Sequence, residues 1–349
     1  MPRSKKQSVT LTDVAKEAGV SRTTAAKVLL GTGGDHVRIG DAASERVNKA
    51  AALLSYRPNR AAQLLAGAKT QTLGVLMDTV NAPVMNDRLA AIEKEACARG
   101  YRLLIGQIHE NNSVLSDYLS DFDSRGVDAI LCLFDLTLGR EKRLLPLLGD
   151  RNDIILHGKP LNKKGCCVRV NTAQAIDDIV KHLATIGYKR IGLQLEDMTD
   201  ELMGVRRNAY IDAIQRSGQS LDQNLIWTAQ SKPTIPQQQT LNTAIKHLVN
   251  QNDADAIIAS NDVWGVRLVQ SLKSQGFNVP EDVAVTGYDN LDFSTIIDPP
   301  LTTIDQQHDL YAKEAVNLLI KIASGTPPVT RTVTVPPRLV IRHSSQRDK

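Results

Sequence analysis

Beyond residue 72, short apolar runs take turns with stretches of helical periodicity, and this alternation leaves few folds open to the chain. Residues 73–77, 102–108, 129–134, 154–157, 190–195, 256–259 and 283–287 read as strands. Residues 87–99, 113–124, 172–186, 202–216, 237–250 and 263–275 read as helices between them. A strand pairing in parallel with the next needs a long crossover, which a helix supplies. The pattern therefore predicts parallel sheets with helices on both faces. About 275 residues is too many for one open sheet of ordinary size, so two doubly wound subdomains are expected. Their ligand site would lie beyond the carboxyl ends of the strands.

The first 57 residues have a different texture. Thr10 can cap a helix that begins at Leu11 and turns Leu11, Val14, Ala15 and Ala18 to one face. Gly19 ends it, Val20 packs inward, and Ser21 can cap a second helix with Ala25, Val28 and Leu29 buried. Two short helices around a Gly turn match a helix-turn-helix, and a third fits residues 41–54, with Val47, Ala51 and Leu54 inward. Gly31-Thr-Gly-Gly34 has no Lys-Ser/Thr after it and no strand before it, so it reads as a loop and not a phosphate cradle. The Pro-initiated stretch Tyr56-Arg-Pro-Asn-Arg-Ala-Ala-Gln-Leu-Leu-Ala-Gly67 is too short to hold a helix alone.

Charge separates the same two parts. Residues 1–70 hold twelve Lys and Arg against five Asp and Glu, a net +7, while the remainder holds thirty against thirty-three, a net −3. A basic helical head on a mildly acidic body points to a polyanion partner. The N-terminus is polar, without the apolar stretch of a signal peptide, and no run approaches the roughly 18 apolar residues that span a bilayer. A cytoplasmic protein with no membrane partner is expected. Cys97, Cys132, Cys166 and Cys167 form no Cys-x-x-Cys and read as small buried thiols; neither a metal nor a cofactor is expected.

Thr10-Leu-Thr-Asp-Val-Ala-Lys-Glu-Ala-Gly-Val-Ser-Arg-Thr-Thr24 with Arg57-Pro-Asn-Arg-Ala-Ala-Gln-Leu-Leu-Ala66 resembles the lactose-repressor/galactose-repressor family. The likeness continues through Gly187-Tyr-Lys-Arg-Ile-Gly192, Asn261-Asp262, Val279-Pro-Glu-Asp-Val-Ala-Val-Thr-Gly-Tyr-Asp-Asn290 and Asp298-Pro-Pro-Leu-Thr-Thr-Ile304. It implies an all-α helix-turn-helix head on an α/β body resembling periplasmic binding proteins. The expected division is a head over 1–57, a hinge helix and linker over 58–71 and a body over 72–349. Within the body, subdomain one takes 72–169 and 301–326, and subdomain two takes 170–300 and 327–349. The implied function is sequence-specific transcriptional regulation, in the repressing sense. The implied partners are a pseudo-palindromic double-stranded operator, a small effector such as a sugar or related metabolite, and a second copy of the chain. After Arg342 only seven residues follow, without an apolar heptad, so dimers rather than tetramers are expected.

The resemblance turns Arg22, Thr23 and Lys27 to the major groove and makes Leu65 a minor-groove wedge. The wider DNA-binding set is Thr10, Ser21, Thr24, Asn59, Arg60, Ala62 and Gln63. A solvated face is the ordinary reading of such side chains, but Ala25, Val28 and Leu29 already use the inner side of the second helix, so Arg22, Thr23 and Lys27 must project outward. In Arg206-Arg-Asn-Ala-Tyr210 the first Arg matches an effector-binding Arg, and Asp289 matches the Asp of the Gly-Tyr-Asp segment. Asp262, Asn171, His157 and Asn81 complete the effector set; His157 reads equally as a neutral core histidine. Trp227 and Trp264 read as packing. The chain departs from the family pattern at Ala25-Ala26-Lys27, at Leu30 and in an insertion around 33–36, which bears on base preference. The rival reading is a solute sensor or enzyme on the same body with an auxiliary head. It lacks a Gly-x-Gly-x-x-Gly after the first strand and a Gly-x-Ser-x-Gly elbow.

Overall fold

The computed structural model describes residues 9–30, 39–56, 69–78, 83–109, 111–134, 140–197, 201–230, 235–326 and 328–347. The chain forms two compact units, Met1–Thr72 with Asp123–Asp128, and Leu73–Phe122 with Ala129–Lys349.

In the first unit three helices, α1 (Leu11–Glu17), α2 (Arg22–Leu30) and α3 (Asp41–Leu53), close on a core of Val14, Ala15, Ala18, Ala25, Val47 and Ala50. Small residues dominate that core, so the helices can approach closely. Thr10 Oγ1 accepts from the Asp13 amide at 3.3 Å and Asp13 Oδ2 from the Thr10 amide at 2.8 Å, so two orphan donors are satisfied reciprocally. Gly19 takes φ +63°, the left-handed turn that a Cβ disfavours. Ser21 Oγ accepts from the Thr24 amide at 3.0 Å and starts α2. Arg46 Nε donates to the Ala18 carbonyl at 3.2 Å, tying α3 to the end of α1.

The second unit holds two parallel layers. The first sheet runs β11-β5-β4-β3-β1-β2, from β1 (Thr72–Met77), β2 (Arg102–Gln107), β3 (Ala129–Leu133), β4 (Ile154–His157), β5 (Cys166–Val170) and β11 (Thr332–Val335). Leu73 pairs with Ala129, Ile130 with Ile154, Ile155 with Cys166 and Cys167 with Thr332, all in parallel. The second sheet runs β7-β6-β8-β9, from β6 (Ile191–Leu195), β7 (Ile226–Thr228), β8 (Ala256–Ile258) and β9 (Ala284–Thr286). β3 and β6 are buried along their whole length, as strands covered on both faces must be.

α4 (Pro83–Ala98) and α12 (His308–Ala323) cover one face of the first sheet, bringing Ile92, Ala96, Ala312, Ala315 and Leu319 onto Leu73, Val75, Leu131 and Val168. The alternate residues of β1 face the other way, where Phe122 of α5 (Asn112–Ser124) lies over Gly74. α7 (Thr172–Ile186) and α8 (Glu201–Arg216) cover one side of the second sheet; α9 (Gln238–Ile245) and α10 (Asp262–Ser274) cover the other. Among the described residues no helix is long and apolar enough to cross a membrane.

Several expectations need correction. Residues 327–349 do not all complete the second subdomain: β11 extends the first sheet beside β5, and only β12 (Arg338–Val340) turns back to pair antiparallel with β10 (Thr303–Asp305). Of residues 301–326, α12 packs on the first sheet, whereas Leu301 and Ile304 belong to cores of the second. The strands β5, β7, β10, β11 and β12 and the helices α6 (Arg140–Leu148), α11 (Phe293–Ile296) and α12 were not anticipated. Cys97 is exposed, while the other three cysteines are buried.

The Gly74 backbone lies so close to Phe122 that a Cβ there would sit 2.6 Å from the ring. Gly74→Ala is expected to destabilise the body by about 1–3 kcal/mol, the usual cost of overpacking. Urea unfolding measures it; an unchanged midpoint would contradict this packing.

Candidate functional site

The turn after β9 carries two non-glycine residues at positive φ, Asp289 at +119° and Asn290 at +54°. Such backbone is costly and persists only where its surroundings hold it. Here three successive amides are pinned: Asp289 N–H donates to the Ile304 carbonyl at 2.9 Å, Asn290 N–H to Thr303 Oγ1 at 3.2 Å and Leu291 N–H to Asp262 Oδ2 at 2.7 Å. Arg342 holds the Asn290 side chain at 2.6 Å. Before the turn, a Cβ on Gly287 would collide with the Asp262 carboxylate and Leu301. Asp262 is wholly buried, and its other oxygen accepts from Thr303 Oγ1 at 2.5 Å. Both its oxygens are used inside the protein, so Asp262 shapes the turn that presents Asp289.

Asp289 itself accepts from Gln306 Nε2 at 2.5 Å. Burial pushes its carboxyl up to about 7, against the opposing pull of Arg206, the Gln306 hydrogen bond and Arg88. Asp262 is pushed up to about 8, by burial first and then by the Asp289 charge. Arg206, on α8, is buried, lies 4.1 Å over the Tyr288 ring and donates to the Ser260 carbonyl. Its Nε has no partner. Arg206 influences Asp289 through its charge, but the two form no ion pair.

The facing wall comes from the first sheet. Arg88, on α4, is 1% exposed. It donates to Gln306 Oε1 at 2.5 Å, approaches His157 Nε2 at 3.2 Å and stacks 4.5 Å from the Tyr311 ring centre. His157 Nδ1 meets the Tyr311 hydroxyl at 3.0 Å. Burial first, and then the Arg88 charge, hold the His157 pKa well down, so the ring is neutral and Nε2 can accept. A polar chain thus runs Tyr311–His157–Arg88–Gln306–Asp289 from one lobe to the other.

Arg206, Asp289 and His157 come together in this way. Asn171 instead caps α7, its side chain accepting from the Gln174 amide at 3.3 Å. Asn81 lies outside the described residues. Trp264 is buried, with Trp227 packed edge-on at 6.1 Å. Sequence reasoning missed Arg88, Gln306, Tyr311, Tyr288 and Glu196, whose carboxylate accepts from Asn261 Nδ2 at 2.7 Å. Arg88 had a legible signal: Val84, Arg88, Ile92 and Ala96 recur every fourth residue and all are buried.

In the first unit Arg22 and Thr23 are exposed at the start of α2, above the buried Ala25; Lys27 is half-buried on the same helix. Thr10, Ser21 and Thr24 are engaged in capping. Asn59, Arg60, Ala62, Gln63 and Leu65 lie outside the described residues. Among the described residues no group of His, Cys, Asp and Glu could hold a metal ion.

Residues 10–59 match the bacterial regulatory proteins of the lacI family, and residues 180–345 match a periplasmic binding protein-like domain. The chain is 25% identical over 338 residues to the HTH-type transcriptional repressor PurR of Mannheimia succiniciproducens, covering 97% of this chain and 99% of the relative. It is 26% identical over 352 residues to the HTH-type transcriptional repressor CytR of Escherichia coli strain K12, covering 99% of both. In fold it resembles a lac repressor dimer bound to operator and an anti-inducer, with a TM-score of 0.79 at 21% identity, over 98% of this chain and 100% of that one.

Asp262 and Asp289 keep protons in the folded state that the unfolded chain, with carboxyls near 3.8, has already released. The native state therefore binds more protons between pH of about 4 and 8, and stability falls as pH rises through that window. Asp262→Asn keeps an acceptor for Leu291 N–H and can donate to Thr303, but does not titrate. It should flatten the dependence of the urea midpoint on pH; an unaltered slope would show that Asp262 is ionised throughout.

Proposed function

With a lacI-family head on a periplasmic-binding-protein-like body, the chain belongs to the lacI family, and on that premise we propose that it is a transcriptional repressor whose operator affinity is set by a small effector. The observation that carries the DNA half is the placement of Arg22 and Thr23: exposed at the front of a helix whose inner face is fixed by Ala25. A guanidinium there can reach guanine O6 and N7. Two such helices in a dimer read a pseudo-palindromic operator, with Leu65 from each chain as the wedge at its centre. Thr10, Ser21 and Thr24 fix the helix starts beside the phosphates, and Lys27, Asn59, Arg60, Ala62 and Gln63 complete the contact set. An operator-bound dimer works in the cytoplasm and needs no catalysis.

For the effector half, Asp289 and Arg206 supply hydroxyl-binding groups on one wall, and His157 stands on the other. Asp262 acts through the turn it shapes, and Asn171 and Asn81 remain candidates of the effector set. The ligand is a sugar or related metabolite. It can alter operator affinity only by its differential affinity for two closure angles, typically about 1–3 kcal/mol of coupling.

Arg22→Ala is expected to relax preference at one base pair per half-site with a loss of about 1–3 kcal/mol, read by fluorescence anisotropy on a selected operator and its single-base variants. A uniform fall across all sequences would reduce Arg22 to a phosphate contact. Asp289→Ala should abolish the effector response while effector-free operator binding stays within a few-fold of wild type. A normal response in that variant would place the pocket elsewhere.

A further inference from the structure

Arg88 is a buried guanidinium with no carboxylate in direct contact. Its acceptors are all neutral: His157 Nε2 at 3.2 Å, Gln306 Oε1 at 2.5 Å and the Met85 sulfur at 3.8 Å. Its Nε has no partner, and among the described residues no carboxylate pairs with it. Gln306 stands between it and Asp289, so the two attract each other through space but form no direct ion pair. Charged groups are buried favourably only when paired, and a lone internal cation is among the least favourable things a core can hold. Nor can His157 help, because it accepts from Arg88 only when neutral.

A second unsatisfied group lies beside it. His308, at the start of α12, has both ring nitrogens buried and without partners. Burial, then the charge of Arg88, pushes its pKa down to about 4, with Asp305 and Asp309 opposing. The ring is therefore neutral near pH 7 and keeps an N–H with nothing to donate to. A guanidinium with no contacting carboxylate and a ring N–H with no acceptor thus lie near enough for the charge of the first to act on the second.

We infer that the effector carries an oxyanion, a carboxylate or a phosphate, which Arg88 and His308 receive on the first-sheet wall while Asp289 and Arg206 hold its hydroxyl-bearing end. This rests on the reading of the cleft as the effector site. A guanidinium fork suits either oxyanion, and a low-dielectric surround strengthens the contact. Gln306 is the stand-in: its carbonyl oxygen occupies one arm of the fork in the free protein and gives way to the ligand.

The test is thermal unfolding of the full chain at matched ionic strength, with glucose, gluconate, glucose 6-phosphate, acetate and inorganic phosphate as probes. Wild type should be stabilised by an oxyanion-bearing probe at concentrations where glucose does nothing. Gluconate and acetate acting alone assign a carboxylate; glucose 6-phosphate and inorganic phosphate acting alone assign a phosphate. Arg88→Met should weaken that probe at least tenfold, and Arg88→Lys less. Because Arg88→Met removes a buried group and can fail to fold, Met85→Glu is the companion variant. It places a carboxylate within reach of the guanidinium, supplies the missing charge internally, and should raise the ligand-free Tm while abolishing the response. Glucose acting as well as its anionic partners, an unchanged response in Met85→Glu, or no oxyanion shifting wild type would each overturn the inference. Operator binding by wild type, measured in the same samples, reports on the regulator reading separately.

Discussion

Parallel pairing of strands governs where this body can hold a ligand. When β1, β3, β4, β5 and β11 run the same way, their carboxyl ends gather along one edge, and so do those of β6, β7, β8 and β9. The loops that leave those edges must be polar, because no further strand or helix is there to pair their backbone. His157 closes β4, Glu196 follows β6, Ser260 and Asn261 follow β8, and Asp289 follows β9. The helices then add residues from their first two turns. Arg88, Arg206 and His308 all lie within six residues of the helix starts at Pro83, Glu201 and His308. One rule of sheet geometry thus collects side chains separated by more than two hundred residues.

Collecting them is unfavourable in itself. Asp289 and Asn290 sit in sparsely populated backbone, each at about 1–3 kcal/mol. Two carboxyls are held largely free of water, and two guanidinium groups keep an unpartnered Nε. The surrounding packing offsets this. Burying a Leu, Ile or Val side chain contributes about 1.5–3 kcal/mol, and the second sheet alone buries Ile191, Leu193, Leu195 and Ile258 on one face. Asp262 links the two: buried at the start of α10, it turns the rigidity of that helix into a fixed direction for the Leu291 amide and hence for Asp289. A ligand turn of this kind is strained because a sequence-local conformation is being overruled by tertiary contacts.

That also marks what could be read from sequence. The alternation of runs located seven strands and six helices because each strand carries consecutive or alternating apolar residues and each helix an apolar face at helical spacing. β5 was missed because Cys166-Cys-Val-Arg-Val170 carries an exposed Arg and two cysteines, a weak strand signature. β10, β11 and β12 are Thr- and Arg-containing segments of three or four residues, stabilised by partners far along the chain. α12 carries a helical pattern, with Tyr311, Ala315, Leu318 and Leu319 among its buried residues. Arg206 and Asp289 were legible through motifs; Arg88 was legible only as a charge in the apolar phase of α4. Asp262 was read as a ligand candidate, and its burial with both oxygens engaged makes it a support instead.

Gln306 is the residue through which closure and ligand chemistry meet. It follows β10, in the segment that leads from the second sheet back to α12 on the first, and its amide bonds Arg88 with one end and Asp289 with the other. An amide can do this because it carries a donor and an acceptor at opposite corners; neither a carboxylate nor an ammonium could serve both neighbours. In the free protein this bridge favours one separation of the two walls. A ligand that takes over Arg88 and Asp289 replaces a bridge of fixed length by one of its own length, and so selects another separation. The energy available is the difference between the two sets of contacts, not the strength of either. By linkage, operator DNA that prefers one separation must change the affinity for that ligand by the same factor. A ligand whose span matched that of the glutamine bridge would favour the same separation and carry no coupling by this route.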